Sequence, residues 1–192
     1  MDAWQRDLGD SAFEFQRVVW PRIQRACGGG TLIPVESVTE AAFAKQLDVH
    51  AGVDAWQIKD SAGMRGIASR VQWDDGRRGF PYCTFTVRRA RLTGVETEYD
   101  KRLRAIRSKE GWLFPYLTVQ AFLTQPKRAG VLLACAVART VDVVDMIAND
   151  LCVEQRTTNA AFWVVPWDEM RNQGYRVWIW VPPGELALAG NA

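Results

Sequence analysis

The sequence predicts an α/β fold of the mixed (α+β) kind: a mixed β-sheet containing an antiparallel three-stranded meander, flanked by helices. Three observations predict it. Short stretches of period-two alternation, separated by glycine- and aspartate-rich turns, run from residue 54 to residue 91. Helix-like and strand-like patterns then alternate from 97 to 181. Finally, 48% of the 192 residues are hydrophobic and 24% charged, enough apolar material for one folded core and too much for wholesale disorder. A single domain over 1–192 is expected, with an N-terminal helical region (1–30), a core (37–181) and a loose tail (182–192).

Residues 11–26 place Phe15, Val18, Val19 and Ile23 at helical spacing, with Ser11 able to cap the start. Pro21 should kink or split this helix, and Gly28-Gly29-Gly30 should end it as a flexible turn. No Lys-Ser/Thr follows those glycines, so a phosphate-binding loop is disfavoured. Residues 37–47 read as a second helix, where Ser37 and Glu40 form a capping-box pattern. A glycine turn then feeds a strand at 54–58, with a returning strand at 65–73 and a third at 81–91. A charged helix follows at 97–107, and strands at 116–124 and 130–139. A helix at 141–151 should turn Val144, Ile147, Ala148 and Leu151 inward. A strand at 161–166, a short helix at 167–173 and a strand at 175–181 complete the order.

Composition excludes several function classes. No apolar run approaches the roughly 18 residues of a membrane span. The stretch from Met1 to Asp7 carries two acids and leads into no apolar segment, unlike a signal peptide. Cys27, Cys83, Cys135 and Cys152 form no closely spaced pair and read as reduced thiols of a cytoplasmic protein. A single histidine, His50, excludes mechanisms that need two.

The net charge of +2 hides an asymmetry. Between Arg65 and Lys109 there are 12 Lys/Arg against 5 Asp/Glu, a net +7, so the remainder carries −5. Such a segment attracts phosphate backbones, with counterions released for each phosphate neutralised. Arg77 and Arg78 fall in a turn, Arg88, Arg89 and Arg91 end the third strand, and Lys101 and Arg104 share a helix side. Within that helix, Glu98 stands at pairing distance from Lys101 and Arg102, the local alternative to phosphate contact. A solvated basic face without a partner stays open beside the nucleic-acid reading.

The candidate chemistry lies on the hairpin of 54–58 and 66–73. Strand periodicity puts Ala68, Arg70 and Gln72 on one face. A register with Asp54 beside Ala68 would add its carboxylate to that face; a one-residue slip would exchange Arg70 for Ser69. A helix bearing Glu40, the lead-in Gly52-Val53-Asp54, and a hairpin returning to a strand with a cation together resemble the PD-(D/E)XK, or restriction-endonuclease-like, nuclease superfamily. Phe162 to Met170 similarly resembles the superfamily's later strand, which runs through a proline into a short helix. The resemblance covers about 37–73 and, more weakly, 115–180.

It implies Mg²⁺-dependent phosphodiester hydrolysis, in which acids hold the metal and a lysine assists the attacking water. Carried over, Asp54 matches the aspartate, Arg70 occupies the lysine position, and Ala68 stands where the second acid belongs. Glu40, then Asp48, could supply the missing carboxylate as a metal ligand, and Gln72 a carbonyl ligand. Failing that, the fold keeps only a binding surface. The expected partner is nucleic acid, DNA in preference to RNA, and no membrane. The alternative is a catalytically inactive DNA/RNA-binding or protein-interaction factor, in a mobile-element or phage-defence setting. Exposed Trp73, Trp163, Trp167, Trp178 and Trp180 would then face a partner or a second copy.

Overall fold

The computed structural model describes residues 3–35, 52–59, 63–91, 93–108, 114–126, 128–182 and 184–186. The predicted helix at 37–47, and with it Glu40, Asp48 and His50, lies outside them.

Helix α1 (Ala3–Glu14) runs through a π-helical turn (Phe15–Val19) into α2 (Trp20–Ile23). Ser11 is therefore interior to the helix and not its cap. Pro21 falls at the start of α2, where its missing N–H costs least, and the irregularity sits one turn earlier. Of the glycines after it, Gly30 serves close approach: a side chain there (φ +94°) would put Cβ 2.4 Å from the Ile58 carbonyl oxygen.

Among the described residues ten strands follow: β1 (Thr31–Pro34), β2 (Ala55–Lys59), β3 (Gly63–Trp73), β4 (Thr84–Arg91), β5 (Pro115–Leu123), β6 (Leu132–Arg139), β7 (Val153–Arg156), β8 (Ala160–Pro166), β9 (Val177–Val181) and β10 (Gly184–Leu186). Between them lie α3 (Glu98–Ser108), α4 (Thr140–Ala148) and α5 (Trp167–Asn172). The fold is mixed α+β. A seven-stranded sheet has the order β1-β2-β3-β5-β6-β9-β10, and a three-stranded antiparallel sheet the order β4-β8-β7. In the large sheet β3 and β5 are parallel and every other pair is antiparallel.

The meander differs from expectation. It is β1-β2-β3, because β4 leaves the sheet to pair with β8. The connection 74–83 is longer than the roughly 2–5 residues of a hairpin loop. The end of the chain also corrects the reading: Gly184–Leu186 pairs with β9 where a loose tail was expected. In α4, Val144 and Ile147 point inward as expected, joined by Val143 and Met146, but Ala148 is exposed.

The large sheet is buried on both faces, so its central strand β5 is apolar almost throughout. One face, with Ile67, Val71, Leu117, Val119, Cys135 and Val137, packs under the N-terminal helices through Phe15, Val19, Trp20 and Ile23. The other, with Phe122, Ala134, Ala136, Val177 and Ile179, packs on Phe85, Val87 and Val165 of the small sheet and on α4 and α5. The tryptophans go into these cores. Trp167 and Trp178 are buried, Trp73 and Trp180 pack against the first core, and Trp163 packs against the second. An interface built on exposed Trp73, Trp163, Trp167, Trp178 and Trp180 is thus corrected: burying large aromatic area inside the fold is where their stabilisation lies. No described helix is long and apolar enough to cross a membrane.

Candidate nucleic-acid interface

The hairpin register pairs Ala55 with Ile67, and the Asp54 amide donates to the Ile67 carbonyl at 2.9 Å. Asp54 is therefore carried beside Ala68, the register that puts it on the side of Arg70 and Gln72. The side chains nevertheless part. The Ser69 amide donates to Asp54 Oδ2 at 2.5 Å, and Asp54 borders a cavity of about 60 Å³ with Ser11, Ala12, Phe15, Pro34, Ala55 and Ser69. Arg70 Nη2 donates to Glu98 Oε1 at 2.5 Å. Gln72 Oε1 accepts from Gln120 Nε2 at 3.4 Å, and Gln120 Oε1 in turn accepts from the Thr86 hydroxyl at 3.1 Å. Gln72 thus belongs to a polar seam joining the two sheets.

Glu98 has the helix partner that periodicity gives it, Arg102, and further partners on two strands. It opens α3, beside Thr97, whose amide donates to Asp100 Oδ2 at 3.0 Å in the manner of a capping box. Beyond its own helix, Glu98 takes Arg70 with one oxygen and the Arg88 amide with the other, at 3.2 Å. Burial pushes its carboxyl up, but Arg70, Arg102 and Arg88 outweigh burial and hold it down at about 2. Arg102, one turn further along α3, is buried, and its Nε and Nη1 have no hydrogen-bond partner among the described residues. Burial, with Arg70 adding to it, pushes its guanidinium down; Glu98 and Asp54 oppose. Arg70 and Arg88 both lie over the Phe162 ring, 5.4 and 5.5 Å from its centroid.

Magnesium binds through several oxygen ligands, usually including one or two carboxylates. The described residues around Asp54 do not fit it. No group of three His, Cys, Asp or Glu side chains comes together among them, and no second acid lines the Asp54 cavity. Asp54 does act on a cation among the described residues, Arg102. Glu40, the expected second metal ligand, lies outside the described residues.

The basic residues also divide. Arg77 and Arg78 are exposed at the turn after β3, Arg77 within 3.4 Å of Asp75. Arg104 pairs with Glu96, and Lys101 sits half-buried on α3. On β4, Arg88 goes to Phe162 and Arg89 to the neighbouring Trp163, at 4.7 Å from its centroid, so the two leave the strand in different directions. Neighbouring residues of a strand alternate between its faces, which accounts for the divergence.

Arg89 and Arg91 open instead onto a groove of about 320 Å³ at the end of the small sheet. Arg156 of β7, Thr157, Thr158 and Asn159 of the following turn, and Glu154 complete it. Glu154 is the acid of that groove and pairs with both Arg89 and Arg156, so three guanidiniums line the groove beside one carboxylate, which takes two of them. Hydrogen bonding from Arg156 lowers the Glu154 carboxyl, which stays charged. Comparison with family models, curated proteins and solved structures finds no match. The groove was half legible in the sequence. The arginines of β4 were visible, whereas Arg156 joins them only through the β4-β8-β7 pairing.

Proposed function

We propose that the chain binds nucleic acid through its phosphate backbone, in the groove of Arg89, Arg91 and Arg156. The observation that carries this reading is the ratio in that groove: three exposed guanidiniums to one carboxylate, beside two threonines and an asparagine that can donate to phosphate oxygens. Contacts of this kind fix a strand in place without reading its sequence. No aromatic side chain lines the groove among the described residues, and Trp163 beside it already carries Arg89, so base stacking has no platform there. On this reading the likeness of residues 37–73 and 115–180 to restriction-endonuclease-like proteins concerns the scaffold. Asp54 holds a strand amide and does not serve hydrolysis.

Fluorescence anisotropy with labelled single- and double-stranded DNA and RNA tests the proposal. The logarithm of the affinity should fall linearly with log salt. Arg91→Ala with Arg156→Ala should flatten the slope on duplex DNA by about 2. Binding indifferent to salt and to these exposed positions would overturn it. The same probes incubated with Mg²⁺ or Mn²⁺ should stay intact. Metal-dependent cutting that disappears in Asp54→Asn would restore the hydrolytic reading.

A further inference from the structure

The two edges of the small sheet are treated differently. β8 lies between β4 and β7, and the register settles which backbone groups face outward. The Thr157 amide donates to the Ala160 carbonyl at 2.8 Å, so 157 and 160 form a hydrogen-bonded pair. Antiparallel pairs alternate, which makes Gln155 with Phe162, and Val153 with Val164, the next bonded pairs. The N–H and C=O groups of Glu154 and Arg156 therefore point away from β8. On β4 the outward groups are occupied. The Thr86 amide donates to Gln120 Oε1, the Arg88 amide donates to Glu98 Oε2, and the Arg89 carbonyl accepts from the Thr97 hydroxyl. Among the described residues, nothing does the same for β7. Its Val153, Gln155 and Arg156 are exposed, Val153 at 64%. An open edge of this kind is a template for another strand.

We propose that β7 pairs antiparallel with β7 of a second copy of this chain, about a two-fold axis through Gln155. Symmetry and charge select that register. A two-fold axis perpendicular to the sheet passes through a residue that faces itself. Centring on Glu154 or on Arg156 sets like charges opposite each other, which destabilises a ladder. Centring on Gln155 sets Glu154 opposite the second copy's Arg156, and Arg156 opposite its Glu154. These are the residues whose backbone groups point outward, so the same two pairings carry the hydrogen bonds of the new ladder. Glu154 also pairs with Arg156 of its own strand, at 3.2 Å, so the four side chains alternate in sign around the axis. Exposed Val153 falls opposite the second copy's Thr157. Because the axis is perpendicular to the sheet, the two grooves of Arg89, Arg91 and Arg156 adjoin on one face. The pairing itself does not rest on the nucleic-acid reading.

Sedimentation velocity of the full chain across the micromolar range, in reducing buffer without nucleic acid, tests it. A reversible dimer should form as concentration rises. Arg156→Glu, at an exposed position, should weaken it by about tenfold or more, because both cross-strand pairs become like-charged. Glu154→Pro removes an outward N–H that no bond to β8 uses and should abolish the dimer. Circular dichroism reports whether that variant folds, and Arg156→Glu decides the matter if it does not. Arg91→Ala, in the groove but off the edge, should leave the dimer unchanged, which separates this surface from phosphate binding. Gln155→Cys lies on the axis, where facing Cα atoms are about 4.5 Å apart, within disulfide reach. On mild oxidation it should cross-link faster than Val153→Cys. A chain that is monomeric at every concentration, an Arg156→Glu dimer as tight as the parent's, or cross-linking no faster at 155 than at 153 would end the proposal.

Discussion

At Glu98 two oxygens serve two strands: Oε1 takes Arg70 of β3 and Oε2 takes the Arg88 amide of β4. Because its carboxyl is held at about 2, well under the ordinary value of 4.5, it binds a proton less readily folded than unfolded. Protons therefore favour the unfolded chain. The stability this residue contributes is present above about pH 4.5 and is lost as pH falls from there through about 2. The contribution is at most on the order of 3 kcal/mol, since the side chain is partly open to water. In urea unfolding, Glu98→Gln should cost roughly 2 kcal/mol at neutral pH and should flatten the fall in stability below pH 4.5. A variant as acid-sensitive as the parent would show that other carboxyls carry the effect. The sequence made Asp54, Arg70 and Gln72 legible as one strand face, because period two is a local rule. It could not show Glu98 crossing to Arg70, 28 residues away, or Asp54 turning to the Ser69 amide. Helix spacing showed only the partner on α3 itself, Arg102, which also lowers the Glu98 carboxyl.

Among the elements, the N-terminal helix shows how a buried acid fixes a junction. Glu14 is fully buried where α1 gives way to the π-helical turn. It accepts from the Trp73 indole at the end of β3 and from the Gly130 amide, at 3.0 Å, ahead of β6. Gly130 is glycine for space: a Cβ there would lie 2.7 Å from the Gln125 carbonyl oxygen and 2.9 Å from Glu14 Oε1. Glu14→Ala strands two part-buried donors and should destabilise by about 2 kcal/mol, while Glu14→Gln keeps an acceptor oxygen and should cost less than half as much. Denaturant midpoints for the pair measure this, and equal losses would mean that the charge and not the acceptor matters. Long elements were legible by periodicity. β1, β7 and β10, of three or four residues each, are too short to display a period, and they are strands only because a neighbour pairs with them. The departure of β4 had a visible sign in the length and glycine content of 74–83, which no tight hairpin requires.

For the whole molecule, the net +7 of residues 65–109 describes a segment and not a surface. Folding sends Arg70, Arg88 and Arg102 inward and Arg89 and Arg91 outward, so a charge count along the chain does not say which face carries the charge. The mixed sheet, by contrast, followed from pattern alone, and it has a consequence for cooperativity. The two cores lie on opposite faces of the same strands. β5 contributes Val119 and Ala121 to one and Phe122 to the other, and β6 contributes Cys135 and Val137 against Ala134 and Ala136. Neither core can lose its packing without releasing strands that the other needs. Unfolding should therefore be a single transition, with tryptophan fluorescence, which samples Trp20 and Trp178 in one core and Trp167 in the other, coinciding with far-ultraviolet circular dichroism. Phe122→Ala, which opens a cavity among Phe80, Tyr82 and Trp167, should shift both signals together by about 3–5 kcal/mol. If that variant instead splits the curve, with the Trp167 side melting first while the sheet signal persists, the small sheet and α5 form a separable unit, and the coupling through β5 and β6 is weaker than their shared packing requires.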